Sequence, residues 1–198
     1  IEQVGIVNLN VKRRYIRVIK PVRIESGASW SEFRPHDGTR FEVEIDFASP
    51  LIGRQSWNGE LTAARFKQDL SRARTFGFMR DVERLWAAGY ALGSSLENSV
   101  VISDDETVVN VEGLRYQDEF VRHKTLDAVG DLALAGAQFI GCYRSYRGGH
   151  KMNANALKAL LNDPTAYEIV EAPSSRVARV RAGDFVPVSV SELAPSFA

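Results

Sequence analysis

Within "FVRHKTLDAVGDL", His123, Asp127 and Asp131 stand four residues apart. At 3.6 residues per turn each step of four advances about 40°, so on a helix the three side chains form one stripe and reach a common point. A neutral imidazole and a carboxylate one turn apart can both contact one Zn²⁺ at about 2.0 to 2.2 Å. Catalytic zinc takes three protein ligands plus water, so this stretch leaves one ligand to be found elsewhere. The competing reading is a solvated helix face, where a His/Asp pair adds about a few tenths of a kcal/mol. His150 follows "YRSYRGG", where Gly148 and Gly149 permit a tight turn and a close backbone approach before a new helix. A His there suits proton transfer, with Asp131 placed to orient it, or is simply a polar residue at a helix start. His36, in the turn "PHDG", is the weaker candidate. Lys124, Arg144, Arg147 and Lys151 gather around the two candidate histidines and suggest an anionic substrate, phosphate above all. In "RTFGFM", Phe76, Phe78 and Met79 surround a flexible Gly77, as core or as a ligand channel.

These residues need elements to hold them. On a helical wheel His123, Asp127 and Asp131 span roughly 0° to 80°, while Val121, Thr125, Leu126, Ala128, Val129, Leu132 and Ala133 fall between about 140° and 300°, which turns the stripe away from the core. "RRYIRVIKPVRI", "SWSEFRP" and "TRFEVEIDF" alternate with period two between turn clusters and predict an antiparallel meander. "LTAARFKQDLSRAR" and "MRDVERLWAAG" have helical spacing, with a loop at Thr75 between them and Gly89 as a C-cap. "NSVVISDDETVVN" predicts a hairpin turning at Asp104 and Asp105, "AQFIGCYRSYR" a strand, and "HKMNANALKALLN" a helix. The last thirty or so residues predict one strand, "DFVPVSV". Helices layered on a mostly antiparallel sheet follow, an α+β fold.

Bulk composition narrows the function classes. Lys+Arg and Asp+Glu number 25 each, which removes the electrostatic footprint of a general nucleic-acid binder, and the strands lack an aromatic-basic signature. The single cysteine, Cys142, cannot form an internal disulfide and is expected to be a buried strand residue rather than a nucleophile. No apolar run is long enough to span a bilayer and no signal-peptide pattern opens the chain, so a soluble, cytoplasmic protein is expected.

"SRARTFGFMRDVE", "GLRYQDEFVRHKTLDAVGDL" and "YRGGHKMNANAL", in that order, resemble the zinc-dependent UDP-3-O-acyl-N-acetylglucosamine deacetylases of lipid A biosynthesis in Gram-negative bacteria. The resemblance implies that His123 and Asp127 are two of three zinc ligands, that His150 is a catalytic His held by Asp131, and that Thr75 helps stabilise an oxyanion. It implies further that Lys124 and Arg147 face a diphosphate, Asp46 and Phe47 a uridine, and Phe76, Phe78 and Met79 an acyl-chain passage. Arg147 stands where the family often has Lys, which preserves charge but alters geometry. The family pairs two similar α+β domains with the site at their junction, and its first domain supplies a Glu-His pair, the general base and third ligand. No such pair occurs in this sequence. Together with the absent initiator Met, this predicts a portion of a longer chain: 1–12 the end of the preceding domain's last helix and linker, 13–172 the second domain, 173–198 an extension. The reaction implied is metal-assisted hydrolysis of the N-acetyl amide of a UDP-linked acylated N-acetylglucosamine. The rival reading is a non-catalytic module that retains nucleotide-sugar and acyl contacts without organising zinc.

Overall fold

The computed structural model describes residues 3–5, 7 and 12–171, so the expected strand "DFVPVSV" lies outside the described residues. Arg14–Val170 form one compact unit. This unit is an α+β structure in which helices cover a mixed sheet.

The run "RRYIRVIKPVRI" divides into β1 (Arg14–Val18) and β2 (Val22–Ser26), interrupted at Pro21, which has no N–H for a ladder. A tight turn with Gly27 at φ +58° returns the chain into β3 (Ser29–Arg34), antiparallel to β2. β4 (Thr39–Asp46) alternates strictly, with Phe41, Val43 and Ile45 buried, and pairs antiparallel with β5 (Arg54–Glu60). The expected meander stops there. β8 (Gln138–Tyr146) lies between β3 and β4, antiparallel to the first and parallel to the second, and its opening residues pair parallel with β1. Alternation records which face of a strand is buried, not which strand lies beside it, so it missed this insertion. Gly141 marks the changeover: β1 pairs up to Ile140, β3 from Cys142, and a Cβ at 141 would lie 2.8 Å from a methyl of Val18. β9 (Tyr167–Glu171) adds to the β1 edge.

The predicted helix "LTAARFKQDLSRAR" is shorter than its pattern. Thr62 caps α1 (Ala63–Arg65), accepting from the Arg65 N–H, and the helix continues as a wider π turn to Leu70. "TFGF", expected as a loop, is β6 (Thr75–Phe78), parallel to β7 (Ser99–Ile102) in a separate two-stranded sheet. α2 (Met79–Ala87) lies between them, and Gly89 at φ +78° follows its C-cap Ala88, as expected. The hairpin at Asp104 and Asp105 reduces to one bridge, Ile102 to Val108.

α3 (Glu119–Leu132) packs on β4 and β5, α4 (His150–Leu161) packs on β2 and β3, and the two helices pack on each other. α4 buries Asn153, Ala156, Leu157 and Leu160, one face of a helix. Cys142 is buried in β8, and burial pushes its thiol up to about 11, which makes it an inert strand residue as expected.

Candidate active site

α3 sets the stripe. Its buried face is Glu119, Phe120, Val121, Thr125, Ala128 and Leu132, leaving His123, Asp127 and Asp131 on another side. That side is not solvated as expected: the His123 and Asp127 side chains are each 13% exposed, because Ala73, Phe76 and the start of α4 close over them. His123 Nε2 lies 3.2 Å from Asp127 Oδ1. His150, the first residue of α4, comes to the same stripe, its Nδ1 2.9 Å from Asp131 Oδ2 and its Nε2 3.9 Å from Asp127 Oδ2. Three residues from α3 and one from α4 therefore converge.

The turn that delivers His150 is built differently from the sequence expectation. Gly149 has extended φ of −178° and open space at its Cβ position. The close approach is at Gly148, where a Cβ would sit 3.1 Å from that of Ser145, and the left-handed residue is Arg147 at φ +50°. His36 instead bonds Glu60 at 2.7 Å, at the end of β5.

His123 and Asp127 are donor types that a divalent cation takes, two of the three usual at catalytic zinc. His123 Nδ1 is 3.4 Å from the Ala73 carbonyl and Nε2 is 3.2 Å from Asp127 Oδ1, so a proton held on Nδ1 by that carbonyl would leave the Nε2 lone pair for a cation placed beside Asp127. Burial pushes the His123 imidazole below its ordinary value, against the opposing pull of Asp127, and so favours the neutral ring a metal requires. Among the described residues, no three His, Cys, Asp or Glu side chains are grouped to hold a metal ion.

Sequence reasoning missed the support behind Thr75. Arg74 and Glu119 are buried with side chains 2% and 1% exposed, and Arg74 donates Nε and its backbone N–H to Glu119 Oε1 at 2.9 Å. Arg74 also reaches Glu112 and the Gly113 carbonyl, and the Arg115 N–H donates to Glu119 Oε2. The segment entering β6 is thus pinned to the first turn of α3. Burial pushes the Glu119 carboxyl up, but the Arg74 guanidinium and two backbone N–H groups outweigh it and hold the carboxyl below the usual range. Glu119→Ala is expected to lower stability by about 3 to 5 kcal/mol in urea unfolding, because it strands a buried guanidinium. The wild-type contribution of Glu119 is present above the carboxylate's ordinary value and lost as pH falls through the lower folded one. A loss under about 1 kcal/mol at neutral pH would show the pair to be dispensable.

Against known proteins, the profile of the UDP-3-O-acyl N-acetylglycosamine deacetylase family matches residues 1–162. The chain belongs to this family. It is 66% identical over 172 residues to the UDP-3-O-acyl-N-acetylglucosamine deacetylases of Brucella ovis, Brucella canis and Brucella suis, covering 87% of this chain and 60% of each relative. It therefore spans about 60% of the length of the curated relatives it matches.

In this deacetylase-family chain Lys124 and Phe76 adjoin the stripe, through Asp127 and His123, and the other predicted site residues have partners of their own. Lys124 Nζ lies 3.0 Å from Asp127 Oδ2 and 5.6 Å from the Phe76 ring centre. Phe76 is flanked by Phe47 at 5.7 Å and Phe120 at 4.9 Å, both edge-to-face. Phe78 carries the Arg80 guanidinium over its ring at 4.8 Å, and Met79 begins α2, half-buried. Arg147 pairs with Asp46 at 3.1 Å, and Tyr146 donates to Asp46 at 2.7 Å. The Tyr146 hydroxyl, with Arg147 secondary, holds the Asp46 carboxyl below its ordinary value. Thr75, exposed at the start of β6, stands two residues beyond the carbonyl that meets His123. Among the described residues, no helix is long and apolar enough to cross a membrane.

Proposed function

We propose that this chain supplies half the active site of a zinc-dependent hydrolase of lipid A biosynthesis. The enzyme removes the N-acetyl group of UDP-3-O-acyl-N-acetylglucosamine in the bacterial cytoplasm, giving acetate and a free amine. The observation that carries the reading is the convergence of His123, Asp127, Asp131 and His150 at one end of the α3/α4 contact. A second, similar α+β domain, outside this chain, is assigned the third ligand and the carboxylate base, with the reaction at the domain junction.

His123 Nε2 and Asp127 would hold the zinc, which when bound supplies Lewis-acid polarisation of the amide carbonyl and a more acidic water. His150 has its Nδ1 engaged by Asp131, so its Nε2 is the atom turned toward the reacting amide. Its side chain is 70% exposed and accessible to substrate. A proton on Nε2 is donated first as a hydrogen bond to the developing oxyanion and then to the departing nitrogen. The Thr75 hydroxyl adds a second donor at the oxyanion, its backbone held by the Arg74–Glu119 pair. Lys124 and Arg147 would meet the diphosphate, Asp46 and Phe47 the uridine, and Phe76, Phe78 and Met79 the acyl chain. Both cations already sit on carboxylates, so phosphate oxygens exchange one anionic partner for another rather than meeting bare charge.

Acetate release by a complete protein carrying this chain, measured beside equilibrium dialysis of zinc, tests the function. The complete protein is expected to bind zinc stoichiometrically and deacetylate, while this chain alone, with two ligands and no base, binds zinc weakly and turns over negligibly. Substrate binding by the complete protein without hydrolysis would establish the rival non-catalytic module. Tight zinc and rapid turnover by this chain alone would place the third ligand within it.

Phe47→Ala is expected to raise KM by roughly 10- to 100-fold, the range for loss of a base-stacking ring, with kcat nearly unchanged. A contact distant from the amide holds ground state and transition state alike. A collapsed kcat at constant KM would assign Phe47 to the reacting centre instead, and a thermal melt of the variant separates either result from loss of the Phe76 contact.

A further inference from the structure

Asp131 is gripped from two sides. Its Oδ2 accepts from His150 Nδ1 at 2.9 Å and from Asn153 Nδ2 at 2.8 Å. His150 and Asn153 are three residues apart on α4, one turn of one face, so both reach the same oxygen. Asn153 is 2% exposed and lies behind the exposed His150 ring, out of reach of substrate.

Its orientation is dictated from the sheet. Asn153 Oδ1 is 2.6 Å from the Tyr143 hydroxyl, which is 3.0 Å from Ser31 Oγ. Tyr143 and Ser31, on β8 and β3, are 2% and 0% exposed. A tyrosine has one proton, and a carbonyl oxygen can only accept. Tyr143 must therefore donate to Asn153 Oδ1 and accept from Ser31. Burial pushes the Tyr143 hydroxyl up to about 12, so it remains a donor through the working range. With its oxygen turned to Tyr143, the Asn153 amide presents its NH₂ to Asp131. The reverse orientation would oppose an oxygen to a carboxylate. Packing fixes the tyrosine: Tyr143 lies 5.2 Å from Phe33 and 5.8 Å from Phe41, ring centre to ring centre.

We infer that Asn153, oriented by Tyr143 and Ser31, is a positioning residue that holds Asp131 Oδ2 in line with His150 Nδ1; the inference rests on the catalytic role proposed above for His150. Without it the half-buried carboxylate, 20% exposed, regains rotamer freedom and the imidazole loses its aim.

In a complete protein, Asn153→Ala is expected to lower kcat about 10- to 100-fold, the range for lost outer partners of a catalytic group, with KM and zinc content unchanged. Asn153→Asp keeps the shape but replaces the donor with an oxygen, and should lose as much. Tyr143→Phe keeps the ring packing and should lose part of it. In an Asp131→Ala background none of the three lowers kcat further. A merely structural role would instead move zinc content, KM and kcat together. Unchanged kcat in both Asn153 variants, or losses that multiply in the Asp131→Ala background, would overturn the inference. The His150 ring N–H resonance of the 198-residue chain gives a readout independent of turnover. It is expected to be protected from exchange in wild type and lost in Asn153→Ala. If that protection depends on Asn153 while the complete wild-type protein releases no acetate, the contact stands and the deacetylase reading fails. If wild type turns over and the resonance ignores Asn153, the positioning role alone fails.

Discussion

Replacing His123 or Asp127 by alanine in a complete protein is expected to remove zinc and amide hydrolysis together. His123 Nε2 and Asp127 Oδ1 face each other at 3.2 Å, the two groups assigned to the metal. Asp131, the next carboxylate along the stripe, is committed to His150 and Asn153. With three protein ligands the usual complement at catalytic zinc, losing one leaves the metal under-coordinated. Activity should fall by more than the roughly 10- to 100-fold typical of losing an outer partner. The Asp127→Ala variant also frees Lys124, whose Nζ is 3.0 Å from that carboxylate, so an ammonium then lies beside the metal position and opposes it further. Asp127→Ala should therefore lose zinc at least as completely as His123→Ala. Metal analysis of purified variants decides the matter: full zinc occupancy in both would remove the metal centre from α3.

The stripe was legible because a period of four on a helix is a property of the residues themselves. The α+β class was legible for a related reason, since alternation in β4 and helical spacing in α3 and α4 each report local burial. Pairing between distant segments was not. β8 lies between β3 and β4 although more than 90 residues separate them in sequence, as in Glu42↔Arg144. β5, "RQSWNGE", has one large apolar residue and none of the β-branched types that mark strands, and β6 was obscured by Gly77. Arg74 and Glu119 carried no local signal, because their partnership spans 45 positions. Asn153 had a visible signal: it occupies the first position of the buried set 153, 156, 157 and 160 on α4, where a polar residue among apolar ones marks a buried hydrogen-bonding demand.

The combination of Asp131→Asn with His150→Ala in a complete protein tests the central claim most directly, that this chain provides an Asp131–His150 proton-transfer pair beside two metal ligands. Asp131→Asn keeps the shape and removes the charge, with Asn153 still able to donate to the amide oxygen. His150→Ala removes the proton donor, an effect of about 10²- to 10⁴-fold on kcat for a positioned acid or base. Each single variant is expected to retain full zinc, because neither residue is a ligand in this account, and to lose kcat rather than KM. The double variant should be scarcely worse than His150→Ala alone, since residues acting as one unit are not additive. A double variant showing the full product of two independent losses, or loss of zinc in Asp131→Asn, would contradict it.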